Sequence, residues 1–165
     1  MPELAKITPQ LTGAFMQARL SALRESPTAF GSTYGEETRL SEELWRERVA
    51  AMNVVGAIGY LAMEGDKPCG LIRCTIDLQN SRSAEIASMW VAPGHRRSGI
   101  ASDLLAAVQG WATASGAREL RLTVTNTNAA AIALYVKHGF QATGKSEPYP
   151  NDPALCELEL SKCLP

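Results

Sequence analysis

The stretch Val91-Ala92-Pro93-Gly94-His95-Arg96-Arg97-Ser98-Gly99-Ile100-Ala101 joins an apolar strand pattern to an amphipathic helix pattern. No other segment constrains the fold as strongly. Pro93 and Gly94 end the strand, and the helical periodicity begins near Gly99. The first amides of a helix have no internal acceptors and stand at the positive end of its dipole, so an anion there gains hydrogen bonds and charge complementarity together. Gly99 removes the Cβ that would hold a phosphate away from the backbone, and Ala101 is the next smallest choice. Arg96 and Arg97 add cationic donors suited to phosphate oxygens. The junction reads as a cradle for a pyrophosphate.

The elements around it follow from periodicity and punctuation. A short strand over 4–7 precedes Thr8-Pro9, a helix cap with proline at the first helical position, and Leu11, Ala14, Phe15, Ala18 and Ala22 recur at helical spacing. Residues 28–39, rich in Gly, Ser, Thr and Glu, read as a loop. Ser41 then caps a helix running to about Ala51. Strands over 56–64 and 69–77 flank the hairpin signal Gly65-Asp66-Lys67-Pro68, and a third covers 83–91. A helix over 99–115, a strand over 119–124, a helix over 128–138 and strands over 140–143 and 155–161 complete the chain. The order βααβββαβαββ calls for an α/β (α+β) fold, with helices on both faces of a mixed sheet. No internal repeat or linker divides residues 1–165, which suggests one domain.

Composition narrows the function. A net charge of −1 with scattered basic residues gives no footprint for nucleic acid or an anionic membrane. Cys69, Cys74, Cys156 and Cys163 lack CxxC spacing, and His95 and His138 do not complete a zinc set with them, so no metal is expected. Free thiols, no signal-like apolar run and no span-length segment point to the cytoplasm.

Arg96-x-x-Gly99-x-Ala101, after a strand ending Val91-x-Pro93, resembles motif A of the GNAT superfamily of acetyl-CoA-dependent N-acetyltransferases, Q/R-x-x-G-x-G/A. Asn128-x-x-Ala131-x-x-Leu134-Tyr135-x-Lys137-x-Gly139-Phe140 is similar to that family's motif B. The flanks Arg19-Leu20-x-Ala22-Leu23 and Pro27-x-Ala29-Phe30-Gly31-Ser32, with Glu36-Glu37 and Trp45 beyond, resemble many small bacterial members. The resemblance implies the GNAT fold, a mostly antiparallel sheet of about six to seven strands with about four helices. It also implies acetyl-CoA as co-substrate, with the pantetheine against Met89, Trp90 and Val91. The pyrophosphate would then rest on Arg96, Arg97, Ser98, Gly99, Ile100 and Ala101, and Asn128, Ala131, Tyr135 and Lys137 would complete the cofactor site.

The chemistry such a site must perform sets the remaining expectations. An alkylammonium of pKa ~10 is only about one part in a thousand neutral at pH 7, a deprotonation cost of roughly 4 kcal/mol that favours a general base. The departing thiolate, with a pKa of about 8.5, asks less of a general acid. By resemblance Tyr135 is the acid, and Asn128, Ala131 and Tyr135 share one helix face at i, i+3 and i+7. Asn128 is also a good helix cap. Glu85, in Ala84-Glu85-Ile86, is similar to the base of the histone-acetylating branch. Strict alternation would put Glu85, Ala87, Met89 and Val91 on one face of their strand, and the resemblance implies the Met89 amide as oxyanion donor.

Phe30, Tyr34, Glu36 and Glu37, with Trp45, suit an aromatic and acidic pocket for a cationic amine, although Trp45 fits a core position equally. Residues 146–153 suit a loop closing over the site or, equally, a rigid connector between the last strands. The acceptor is expected to be a small-molecule amine, with a peptide or protein amine as the alternative. A non-catalytic acetyl-CoA-binding module is a further alternative, and monomer and homodimer stay open.

Overall fold

In the computed structural model, which describes all 165 residues, the first helix, α1 (Thr12–Glu25), buries Phe15, Ala18, Arg19, Ala22 and Leu23. Spacings of three and four place these on a single stripe. Arg19 is the one charged member, which makes it conspicuous. The one-turn α2 (Tyr34–Glu37) follows, then α3 (Glu42–Ala51), whose first turn is capped by Ser41 accepting from the Leu44 amide at 3.2 Å.

Seven strands form one sheet: β1 (Glu3–Lys6), β2 (Ala57–Glu64), β3 (Lys67–Ile76), β4 (Ser83–Val91), β5 (Glu119–Thr125), β6 (Gln141–Tyr149) and β7 (Asp152–Cys163). Their spatial order is β1-β2-β3-β4-β5-β7-β6. Every neighbouring pair is antiparallel except β4 and β5, which run parallel. The helix α4 (Ile100–Ala114) connects those two as a crossover, and α5 (Ala129–Lys137) lies between β5 and β6.

The sheet separates two cores. On one face, Leu61, Leu71 and Trp90 pack with Phe15, Leu23, Trp45 and Val49 from α1 and α3. On the other, Ile72, Cys74, Ala84 and Ile86 pack with Leu104, Leu105 and Val108 of α4 and Tyr135 of α5. Trp45 is therefore a core residue, edge-on to Phe15 at 5.8 Å. The α4 helix packs tightly on β3 at Gly70, where a Cβ would lie 3.1 Å from Ile100 and Leu104 side-chain carbons. That contact fixes the height of the helix N-terminus above the sheet. No helix is long and apolar enough to cross a membrane.

Two expectations are corrected. Residues 28–39 are not simply loop, because Thr33 accepts from the Glu36 amide and caps α2. Residues 146–153 do not form a closing loop, because β6 and β7 continue as a hairpin nearly to its tip. Residues 144–148 of β6 carry no apolar alternation, and their strand conformation comes from backbone pairing with β7. At the tip Tyr149 is buried, its one hydroxyl proton shared between the Phe30 carbonyl and, at 3.1 Å, that of Pro27.

Candidate active site

β4 and β5 pair only where Ser83–Glu85 meets Glu119–Arg121. Beyond that junction the strands part, leaving β4 without a partner on its β5 side. A cleft of about 760 Å³ fills the gap, with Met89, Val91, Leu122, Val124 and Tyr135 among its walls. An open strand edge can hydrogen-bond an extended ligand as a further strand would.

The β4 edge is irregular at its centre. Leu71 pairs with Trp90, but Arg73 pairs with Ala87, so β4 carries one extra residue across that interval. Ser88 takes φ +58, and the Arg19 guanidinium donates to its hydroxyl at 3.1 Å. Such a bulge breaks the two-residue period. Glu85 and Ala87 face the α1 side, whereas Met89 and Val91 pack into the core beneath α4 and α5. The expectation that all four share a face is therefore corrected: β4 presents residues to one side before the bulge and to the other after it.

The head of α4 is built almost wholly from main chain. No protein group accepts from the amides of Arg97, Ser98, Gly99, Ile100, Ala101 or Ser102, and the first helical bond runs from the Asp103 amide to the Gly99 carbonyl at 3.0 Å. Arg97 at φ +61 and Gly99 at φ +90 turn these amides inward, in the manner of an anion-binding nest. A Cβ on Gly99 would touch nothing within 4 Å, so glycine serves the backbone conformation there and not a close contact.

The two arginines differ. Arg96 is engaged within the protein, its Nε donating to the Val91 carbonyl at 2.9 Å and its terminal nitrogen to Glu25 at 2.7 Å. Trp90 Nε1 donates to the same carboxylate at 3.1 Å. Burial opposes ionisation of Glu25, but bonds from Ser26, Arg96 and Trp90 prevail and hold its carboxyl below the usual range. Arg97 takes part in none of the protein's ion pairs and lines the cleft.

On α5, Asn128 accepts from the Ala131 amide at 3.2 Å, so it is the helix cap, and it also lines the cleft with Ala131 and Lys137. Tyr135 is 6 % exposed and edge-on to Phe140 at 5.7 Å. Burial alone, with no charged or hydrogen-bonding neighbour, holds its phenol well above its ordinary value. It stays protonated, with a hydroxyl free to donate into the cleft. Ser98 and Ile100 contribute only amides, since Ser98 turns its hydroxyl to the His95 carbonyl and Ile100 buries its side chain.

A smaller polar pocket of about 250 Å³ opens on the α1 face, and Glu85 lines it together with Phe30. Phe30 also lines the larger cleft, so it stands between the two spaces. Tyr34, Glu36 and Glu37 line neither. Glu37 is 2 % exposed and bridges Arg19 at 3.0 Å and Arg48 at 3.1 Å. Burial works against its ionisation, but Arg19 and then Arg48 outweigh it and lower the carboxyl below the ordinary range. Tyr34 stacks under Arg24, and Glu36 is exposed near Ser32. Sequence reasoning missed Arg19, Arg73, Ser88, Thr123, Thr125 and Glu157 on this pocket. A signal existed for two of them: an arginine amid the apolar stripe of α1 and another between Ile72 and Cys74 are charged residues where apolar ones belong.

A search of curated proteins finds no match. Among solved structures, the chain is similar to an acetyltransferase of the GNAT family from Streptococcus pneumoniae, at 24% identity and TM-score 0.82, with 100% of both chains covered. It is also similar to the ribosomal-protein-alanine N-acetyltransferase of Brucella melitensis, at 22% identity and TM-score 0.82 over 98% of this chain and 99% of that one. The yncA protein of Salmonella typhimurium, solved with its cofactor acetyl-CoA, matches at 16% identity and TM-score 0.81 over 100% and 95%. These likenesses establish a shared fold. The family model for the Acetyltransferase (GNAT) family matches residues 20–140, and with that span covering the splayed strands, the α4 head and α5, the chain belongs to the GNAT acetyltransferase family.

Proposed function

We propose that the protein is an acetyl-CoA-dependent N-acetyltransferase that moves an acetyl group directly to the primary amine of a small molecule, with donor and acceptor bound together. The observation that carries this reading is the continuity of one cleft. Six free amides stand at its head, an unpaired β4 edge runs along it, and the Tyr135 phenol lies within it. The site fits acetyl-CoA. The amides from Arg97 to Ser102 receive the pyrophosphate, Arg97 and Lys137 add charge at the same end, and the β4 edge from Met89 to Val91 receives the pantetheine. Acetyl-CoA supplies an activated thioester carbonyl.

This chain's residues do the rest. Glu85, on the acceptor side of β4, takes the proton that the amine must lose, directly or through water. The Met89 amide, just past the bulge, stabilises negative charge on the carbonyl oxygen. Tyr135 donates a proton to sulfur as the carbon–sulfur bond breaks and the carbon–nitrogen bond forms. Ammonium and thioester become amide and thiol. Nitrogen gives up two protons, the first to Glu85 before attack and the second as the tetrahedral intermediate collapses, sulfur takes one from Tyr135, and one proton is released to solvent.

Neither cavity is lined by a cysteine, and burial, aided by the Glu85 charge, pushes the Cys74 thiol up to about 12. An acyl-cysteine step has no thiolate to use. The test is thiol release from acetyl-CoA across a panel of amines. We expect turnover with at least one small amine and a flattened acidic limb of the pH–rate profile in Glu85→Gln. Tight acetyl-CoA binding without turnover on any amine would instead indicate a non-catalytic binding module. An unaltered limb would remove Glu85 as the base.

A further inference from the structure

The polar pocket on the α1 face has an unmet electrostatic need. Arg73 projects into it from the middle of β3, between the buried Ile72 and Cys74. Its Nε is sealed from solvent and has no hydrogen-bond partner, the sole buried side-chain nitrogen or oxygen in the protein left so. No carboxylate forms an ion pair with Arg73. Glu37, whose charge acts on it, is already shared between Arg19 and Arg48.

Arg19, Arg48 and Arg73 therefore cluster about Glu37, which pairs with only the first two. Burial, reinforced by the like charges of Arg19 and Arg48, lowers Arg73 from its ordinary value, yet a guanidinium keeps its proton in a protein. Of the three, Arg73 alone has no carboxylate bonded to it. A partly buried cation with no bonded anion, whose Nε is sealed without an acceptor, calls for an explanation.

The opposite charge stands close by. Arg73 is opposite Ala87 and Glu85 is opposite Thr75, so Arg73 and Glu85 are diagonal neighbours on one face of the β3–β4 pair. Such neighbours lie about 7–8 Å apart. Glu157, opposite Thr125 on β7, adds a second carboxylate to the same pocket. A small molecule reaching from Arg73 towards Glu85 meets a cation at one end and an anion at the other.

We propose that the acceptor carries a carboxylate beside its amine, in the manner of a free amino acid, with the carboxylate on the Arg73 guanidinium and the amine towards Glu85 and the β4 bulge. This rests on the N-acetyltransferase reading and names its substrate class. The two terminal nitrogens of Arg73, which unlike Nε are not sealed, match a carboxylate with two parallel hydrogen bonds. The acceptor's carboxylate supplies the anion that Arg73 lacks, and Glu85 and Glu157 hold the ammonium until it loses its proton. A peptide amine brings no free carboxylate to that position.

The test compares thiol release with free amino acids, the same amino acids as carboxamides, and short peptides beginning with them. We expect kcat/KM for the best free amino acid to exceed that of its carboxamide by at least about 10-fold. In Arg73→Gln that ratio falls towards one while KM for acetyl-CoA holds, and Arg73→Lys restores part of it. Equal use of acid and amide, or a preference for peptides, overturns the proposal. If Arg73→Gln fails to fold, the wild-type ratio decides alone. If no amine releases thiol although acetyl-CoA binds, the acetyltransferase reading fails. Thermal protection by amino acids but not by their carboxamides then still supports the carboxylate seat, and its absence overturns it.

Discussion

At the head of α4, six consecutive amides and two left-handed residues form the working surface, and the Arg96 side chain is turned back into the protein. Across the sheet, the smaller pocket is shaped by Arg19, Arg73 and Glu85, steadied from beneath by Glu37 and Arg48. One end is made of backbone and the other of charged side chains. Backbone is common to all sequences, so a cradle made from it changes little as side chains change. A charged pocket is rewritten by single substitutions, and each buried charge must be balanced. The same fold can thus keep one donor site and vary the acceptor.

That contrast can be tested from the largest effect to the smallest. Glu37→Gln should act on stability, because it leaves Arg19 and Arg48 without their shared anion in a buried position; we expect a loss of about 3–5 kcal/mol in denaturant unfolding. The same pair should make the wild type acid-sensitive. Glu37 ionises below its unfolded value in the fold, so its stabilisation is complete above the ordinary carboxylate pKa of about 4.3 and is lost as pH falls through the lowered value. Melting temperatures measured downward from pH 5 should show this decline, and Glu37→Gln should lack that component.

Tyr135→Phe tests the point where the two ends meet. Turnover should fall on the order of 100-fold with little change in acetyl-CoA affinity, and unchanged turnover would remove Tyr135 as the acid. Gly99→Val probes the backbone end. A branched residue at φ +90 is strained although the space around it is empty, so the nest should distort and acetyl-CoA affinity fall roughly 10-fold or more by calorimetry. Arg97→Ala should do least. As an exposed side chain beside an amide cradle, it should change affinity only a few-fold, an effect that fades as salt rises. A larger loss in Arg97→Ala than in Gly99→Val would reverse the comparison.

Most of the fold was legible because it is periodic. The strand-to-helix junction, the stripe of α1 and the α4 pattern state their structure locally, and seven strands with helices on both faces follow from their order. Three things were hidden. The later part of β6, residues 144–148, lacks any apolar alternation, and only its partner strand makes it a strand. The bulge at Ser88 has no local marker, because serine at φ +58 is held by Arg19 from a helix far away in the chain. Glu37 looked like a ligand for an amine because its two arginines are distant in sequence. Along the larger cleft, where spacing along the chain is spacing in the fold, the residues singled out from the sequence fall together on its walls. At the polar pocket α1, β3, β4, β5 and β7 converge with residues 29–31, and the same reading reaches only Phe30 and Glu85.

The short β4–β5 junction bears on how the molecule holds together. The sheet is in effect two half-sheets, β1 to β4 and β5-β7-β6, joined in register by three residue pairs. A second tie runs outside the sheet: Thr125 donates to the Thr28 carbonyl at 2.6 Å, and the Tyr149 hydroxyl proton is shared between the Pro27 and Phe30 carbonyls. A ligand lying along the open edge works as a splice between the halves. Its concentration then sets how far they unfold as one unit, adding about 2.7 kcal/mol at a hundred times its dissociation constant. Amide exchange across β5, β7 and β6 should slow in step with it.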